Sequence, residues 1–178
     1  LILLTGNYKD FFGKLFYANK LKYLEKILTE LKKKFENRLY IEIQRHSEAR
    51  ETAYENYLLQ ISFLLDLPLI AGQEVFYLEP SMAEAHDALV CIKEKEFLDD
   101  KNRFRYSNQH YLKDTQELEK IYKDIPEALE NNYNFPRRFN FKPNKSKPIL
   151  PSISNDKETS AEKELLRQAE IGLENRLK

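Results

Sequence analysis

The sequence has 178 residues with 29 basic and 29 acidic side chains, so its formal charge is zero. This length suits one domain, or one domain and part of a second, and the 42% apolar content is typical of a globular protein. The charge balance argues against a free-standing nucleic-acid-binding protein, because such proteins neutralise phosphates with an excess of cations. The lone Cys91 excludes a disulfide framework and a cysteine zinc cluster, and it indicates a reducing cytoplasm.

The first part of the chain predicts three strands separated by two helices. Short apolar or alternating runs at 1–5, 39–44 and 68–71 predict the strands. Apolar residues at helical spacing predict the helices at 19–35 and 48–65. Strands and helices that alternate at this spacing form parallel strand pairs through right-handed crossovers, so the fold class is α/β. Because the first strand has no Met before it, the sequence is interpreted as a piece of a longer protein.

The next helix is predicted at 81–94, with an inner face of apolar residues. These are Met82, Ala85, Leu89 and Ile92. His86 lies beside that face, where a hydrogen-bonded boundary histidine is the ordinary interpretation. Residues 99–111 interleave basic and aromatic side chains, a pattern that some single-strand-binding segments share, but an irregular surface loop is the favoured interpretation.

The remaining residues predict three more helices and a linker. A capping box that starts at Asp114 predicts one helix, and Pro126 suits the first turn of the next. Residues 141–158 are rich in Pro and Lys and predict an extended linker. A capping box at Thr159 begins a last amphipathic helix, 159–178, which has no partner to bury its apolar face and is expected to be the first element of a further domain.

Polar side chains follow the second and third predicted strands. His46 comes just past the end of the second strand, on the same face as Glu42 and Gln44, and Glu74 comes just past the end of the third. Functional residues of parallel sheets gather at the carboxyl ends of the strands, so His46 and Glu74 should share one pocket. Imidazole and carboxylate groups together suit a divalent metal or a phosphate. The alternative is that Glu42 and Gln44 are solvated on an edge strand, that His46 lies in an exposed turn, and that Glu74 is structural.

Five segments resemble the alpha subunit of bacterial DNA polymerase III in order and spacing. They are YIEIQRH at 40–46, LPLIA at 67–71, EAHDALVCI at 84–92, RYSNQHY at 105–111 and DIPEALEN at 124–131. Each segment is short, but together they extend over nearly the whole chain. The resemblance implies that 1–140 is the C-terminal portion of a polymerase-and-histidinol-phosphatase (PHP) domain, a partial distorted β/α barrel. Residues 141–158 would then link it to 159–178, the first helix of the polymerase palm region.

The resemblance also implies what the site residues do. PHP domains with an intact site resemble metal-dependent phosphoesterases and can act as 3′–5′ exonucleases, with zinc or manganese as the metal. His46 occupies the position of one metal ligand, but the family's Asp-x-His pair at the third strand end is replaced by Glu74 and Phe76. The family's first metal-binding histidines have no counterpart in this sequence. A degenerate metal site at His46 and Glu74, supported by Glu42 and Gln44, is therefore expected.

For the parent protein the resemblance implies DNA-templated DNA synthesis in the cytoplasm, as a nucleotidyltransferase of chromosome replication. Its magnesium-binding catalytic carboxylates would belong to the palm, so none lies in this sequence. Expected partners are DNA, deoxynucleotides, and other replisome subunits such as the clamp and the proofreading subunit, with no membrane. Two alternatives stay open: an active metal-dependent PHP phosphoesterase or exonuclease, and a pure interaction module whose first surface to test is the loop 99–111.

Overall fold

Three short parallel strands lie side by side in the first part of the chain, and helices pack against them. The computed structural model describes residues 1–148 and 160–177, and the chain divides into two compact units, Leu1–Phe139 and Asn140–Lys178. The strands are β1 (Leu3–Leu4), β2 (Leu39–Gln44) and β3 (Leu69–Gly72). The α-helices of the described residues are α1 (Phe11–Tyr17), α2 (Leu21–Phe35), α3 (Glu51–Leu65), α4 (Ala83–Glu94), α5 (Thr115–Ile121), α6 (Pro126–Asn134) and α7 (Ala161–Leu177).

The sheet has the order β1-β2-β3, and both strand pairs are parallel. Strand β2 is central, with Leu3 opposite Leu39 on one side and Gln44 opposite Gly72 on the other. The predicted parallel α/β arrangement is therefore confirmed, and β2 has the bounds that the alternating pattern predicts. The partial PHP-type barrel and the assignment of domains stay predictions.

The core forms where helices cover the apolar face of β2. Leu39 and Ile41 are fully buried, as are Leu24 and Leu28 of α2. Helix α2 ends at Phe35 as predicted, and its last turn carries three lysines, which suit the carbonyl end of a helix. The sequence pattern did not predict α1, which packs against α2.

Helix α6 covers the outer edge of β3. The side chain of Asn131 donates to the carbonyl of Leu69 at 2.7 Å. Asn132 pairs with both main-chain groups of Ala71, donating to its carbonyl at 2.7 Å and accepting from its N–H at 3.1 Å. These bonds satisfy main-chain groups that an edge strand would leave open to pairing with another chain.

Helix α5 begins with the predicted cap, since Asp114 Oδ1 accepts from the N–H of Glu117 at 2.8 Å. Just after this helix, the Tyr122 hydroxyl lies 3.1 Å from the Ile43 carbonyl and 3.0 Å from the Gly72 carbonyl. Tyr122 is buried, so its hydroxyl joins the ends of β2 and β3 away from the protein surface. The carboxyl ends of two neighbouring strands are thereby held together.

The prediction that these apolar residues form the buried face of α4 is wrong. Leu89 and Ile92 are 64% and 75% exposed, and Met82 and Ala85 are exposed as well, whereas Cys91 is buried. The helix is oriented by other contacts, which the apolar pattern does not reveal. Asp87 forms a bidentate ion pair with Arg103, and the His86 ring stacks on the ring of Phe76 with 4.8 Å between their centres.

The second unit contains α7, and residues 140–148 form no regular element. The helix begins after Ser160, whose Oγ accepts from the N–H of Lys163 at 3.3 Å. The predicted cap at Thr159 and the linker residues 149–158 lie outside the described residues. None of the helices in the described ranges is long and apolar enough to cross a membrane.

Candidate site at the carboxyl ends of the strands

His46 and Glu74 lie next to each other, as their positions after β2 and β3 predict. The main-chain N–H of Glu74 donates to His46 Nε2 at 3.1 Å. The register explains this contact, because Gln44 pairs with Gly72 and each functional residue follows two positions later. His46 is only 3% exposed and β2 is the central strand. The alternative of an exposed turn on an edge strand is therefore wrong.

The His46 ring is fixed by a buried carboxylate at the start of α3. Glu51 Oε1 lies 3.1 Å from His46 Nδ1. The same carboxylate accepts from the main-chain N–H of His46 at 2.9 and 2.8 Å and from that of Glu48 at 3.0 Å. Since Nε2 accepts a hydrogen bond, the bond to Glu51 assigns the proton to Nδ1. The neutral imidazole of His46 thus has a partner at each nitrogen.

A second buried histidine, His110, completes the site, and the sequence pattern did not reveal it. Its ring stacks on that of His46, with centres 4.2 Å apart and planes within 2° of parallel. His110 Nδ1 lies 3.1 Å from the Glu74 carbonyl, and Nε2 lies 3.2 Å from Glu48 Oε1. The residue comes from the loop predicted at 99–111, where no periodicity marks it as buried. The resemblance segment at 105–111 contains it, but gave it no role.

Burial and hydrogen bonds act on the pKa values of His110 and Glu48. Burial lowers the pKa of the His110 imidazole, and the neighbouring His46 lowers it further, against the opposing hydrogen bonds to Glu48 and the Glu74 carbonyl. For the Glu48 carboxyl, burial alone would raise the pKa. Hydrogen bonds from Tyr8, His110 and the Ser107 N–H outweigh burial, and its pKa is lowered. The pKa of His110 is thus lowered although both of its ring nitrogens face oxygen acceptors, to only one of which a neutral imidazole can donate.

The lowered pKa of His110 predicts a loss of stability on acidification. Below pH 6.5, the ordinary pKa of histidine, the unfolded chain binds a proton at His110 that the folded chain does not bind. The free energy of unfolding therefore decreases as the pH is lowered, until the pKa of His110 in the folded state is reached. Replacing His110 with Gln should flatten the slope of unfolding free energy against pH just below pH ~6.5. Urea denaturation at a series of pH values measures this slope. The matched control is Asn108→Gln in the same loop, which should keep the wild-type slope; an equal slope in both variants would contradict the assignment.

Glu42 and Gln44 form a separate polar row along β2. Gln44 Nε2 donates to Glu42 Oε1 at 2.7 Å, and Gln44 Oε1 accepts from the Asn7 side chain at 3.3 Å. Burial raises the pKa of the Glu42 carboxyl. In the described residues, neither side chain hydrogen-bonds to His46. The two predicted supporting residues thus contact each other and the loop after β1.

Gly72 leaves the space that the Glu42 side chain fills. A Cβ at position 72 would lie 2.8 Å from Glu42 Cδ and closer still to Oε1, so the Glu42 side chain would have to turn away from Gln44, and Gly72→Ala should lower the free energy of unfolding by about 1 kcal/mol. Removing the obstructing side chain tests the cause. Chemical denaturation should show that Gly72→Ala costs much less in a Glu42→Ala background. Equal costs in both backgrounds would place the strain elsewhere.

Comparison with known proteins identifies the family. The chain is 36% identical over 177 residues to the DNA polymerase III subunit alpha of Caulobacter vibrioides, and the match covers 99% of this chain and 16% of that protein. The proteins of the same name from Rickettsia bellii and Buchnera aphidicola are 32% and 31% identical, and each match covers 99% of this chain and 15% of the relative. The chain belongs to the DNA polymerase III alpha subunit family. It spans about one sixth of the length of these relatives. No protein-family model matches it.

In the described part of the chain, the side chains around His46 and Glu74 do not fit a bound metal ion as they are arranged. Both ring nitrogens of His46 have hydrogen-bond partners, and the Glu74 carboxylate lies 3.7 Å from His110 Nδ1. Phe76 stacks on the His110 ring, with centres 4.9 Å apart. In the residues that the structure describes, no group of three or more His, Cys, Asp or Glu side chains is placed to hold a metal ion. Metal binding by His46 and Glu74 stays a prediction.

Proposed function

We propose that this chain is part of a replicative DNA-directed DNA polymerase and serves there as a non-catalytic scaffold. The parent protein would be a cytoplasmic nucleotidyltransferase that copies DNA from deoxynucleotides with magnesium held outside this segment. The match to polymerase III alpha subunits along 99% of the chain supports this proposal. The clamp and the proofreading subunit are the proposed replisome partners.

We further propose that the segment is a PHP domain whose metal site is degenerate. The observation that carries this proposal is the hydrogen bonding of His46, whose Nε2 accepts from Glu74 and whose Nδ1 faces Glu51. A metal ion could bind this imidazole only by displacing one of these partners. Phe76 adds an apolar ring in place of a ligand, and its stacking on His110 supports a structural role for the whole cluster.

Primer extension by the full-length polymerase tests both halves of the proposal. Wild-type enzyme should extend a primed template, and replacing a magnesium-binding carboxylate of the palm should abolish extension. Glu74→Gln keeps the main-chain N–H that binds His46, so extension should stay within about twofold of wild type. Absence of extension by the wild-type enzyme would refute the polymerase assignment, whereas a large loss in Glu74→Gln alone would refute the scaffold role.

The second candidate is an active PHP phosphoesterase or 3′–5′ exonuclease. The clustering of two imidazoles with three carboxylates favours it. Glu51 lies 3.1 Å from a ring nitrogen of His46, and Glu48 and Glu74 lie 3.2 and 3.7 Å from the ring nitrogens of His110. Elemental analysis of the full-length protein discriminates between the candidates. Stoichiometric zinc or manganese that is lost in His46→Ala, together with 3′–5′ hydrolysis lost in the same variant, would establish this second function.

A further inference from the structure

A cavity of about 360 Å³ opens between α4 and the loop at 99–111, next to the histidine pair but outside it. Four rings line it: Phe76, His86, Phe104 and Tyr106. Its volume is in the range of sites that bind small molecules or single side chains. Neither the proposed polymerase activity nor the proposed degenerate metal site uses this cavity.

The rings hold one another in place. Phe76 and His86 stack with planes 9° apart, Tyr106 meets Phe76 edge-on at 4.8 Å, and Phe104 meets Tyr106 edge-on at 4.8 Å. The faces of aromatic rings carry partial negative charge and attract cations. In this structure they already do so, because the Lys9 ammonium lies 4.2 Å from the centre of Tyr106 and 4.8 Å from that of Phe104. Lys9 does not line the cavity itself.

The charged residues of the cavity wall leave a negative balance. Lys93, Glu94 and Glu96 line it, and Lys93 pairs with Glu94 at 3.0 Å. In the described ranges no ion pair includes the Glu96 carboxylate. Arg103, whose pKa Glu96 helps to raise, is held by Asp87 in a bidentate pair. The wall therefore offers aromatic faces and one carboxylate that is available to a ligand.

This chemistry favours a cation over a nucleic acid. A nucleotide bound by stacking would also need cations for its phosphates, but Lys93 is paired with Glu94, and Lys9 lies 3.4 Å from Glu48. A guanidinium group suits the walls better than an ammonium group, because it is planar and can stack on a ring while its edge binds a carboxylate. We propose that this cavity binds an arginine side chain of a partner protein, with the guanidinium stacked on the aromatic walls and paired with Glu96.

The test uses the full-length polymerase with ¹³C-labelled valine methyl groups and the probe N-acetyl-argininamide. Val90 lines the cavity, so its methyl resonances, assigned by their loss in Val90→Ala, report on binding. The probe should shift them saturably at millimolar concentration. N-acetyl-citrullinamide has nearly the same shape without the charge and should shift them much less. Glu96→Gln should raise the half-saturating concentration of the arginine probe about fivefold.

A matched pair of phenylalanines isolates the aromatic contribution. Phe104→Leu keeps an apolar side chain but removes a ring of the cavity wall, and it should weaken binding; Phe63→Leu changes an exposed ring of α3, 91% exposed, and should not. Equal shifts with the citrulline probe would reduce the site to an apolar cavity and overturn the proposal. So would the absence of a saturable shift, or a shift with deoxyadenosine monophosphate but not with the arginine probe. None of these outcomes bears on primer extension, so failure here is distinct from failure of the proposed function.

Discussion

Replacing Gly13 with alanine is expected to lower the free energy of unfolding by about 3 kcal/mol or more. A Cβ at this position would overlap the carbonyl group and the Cα of Tyr8. Those atoms belong to the main chain, so no change of rotamer can relieve the overlap, and α1 would have to move away from the segment before it. Because α1 packs against α2, the displacement would reach the core through Phe12, which is buried. Urea denaturation followed by far-ultraviolet circular dichroism measures the loss.

The control is Gly172→Ala, the same substitution at a second helical glycine. A Cβ at Gly172 meets no atom within 4 Å, so this variant should only gain the usual preference of alanine for helix, about 0.5–1 kcal/mol for α7. The unfolding transition of the Leu1–Phe139 unit should not change. If Gly13→Ala were as stable as wild type, the close approach of α1 to the Tyr8 main chain would be contradicted.

The sheet and the meeting of His46 with Glu74 could be predicted because both depend on local patterns. The alternation in β2 indicates which of its side chains enter the core. The helix that separates β2 from the next strand indicates that the two strands are parallel neighbours. Once β2 and β3 are parallel neighbours, residues just past their ends must lie at the same edge of the sheet. Only pattern, spacing and the handedness of crossovers enter that argument.

The helices were predicted less well where polar contacts decide. The apolar positions of α4 predict an inner face that is exposed, because the ion pair between Asp87 and Arg103 and the stacking of His86 on Phe76 turn the helix the other way. Helix α1 was missed for a different reason. Its seven residues include Gly13, which disfavours a helix by propensity but is needed for the approach to Tyr8.

The rest of the site could not be predicted from local pattern, because its contacts join residues that are far apart in the sequence. His110 comes 64 positions after His46 and stacks on it through a loop without periodic structure. Glu48 and Glu51 are nearer to His46, but a glutamate at the start of a helix is usually exposed. Only the fold reveals that the Glu51 carboxylate is turned inward to bind main-chain N–H groups.

Replacing Glu51 with alanine is the second change with a large expected effect, a loss of about 3 kcal/mol in the free energy of unfolding. The substitution removes the acceptor for the main-chain N–H groups of His46 and Glu48 and for His46 Nδ1. His46 is buried, so water cannot readily replace these bonds. The first turn of α3 also loses a carboxylate that complements the positive end of the helix. Urea denaturation at pH 7 measures the effect.

Glu127→Ala provides the matched control, since Glu127 is also a glutamate in the first turn of a helix, α6, but is exposed. It should lose at most about 0.5 kcal/mol, because only the interaction with the helix end is removed. The difference between the two variants isolates the buried hydrogen bonds. Glu51→Gln, which keeps one carbonyl acceptor, should fall between wild type and Glu51→Ala. If Glu51→Ala and Glu127→Ala were equally stable, the Glu51 carboxylate would not be what holds His46 in place, and the structural role of the histidine pair would have to be abandoned.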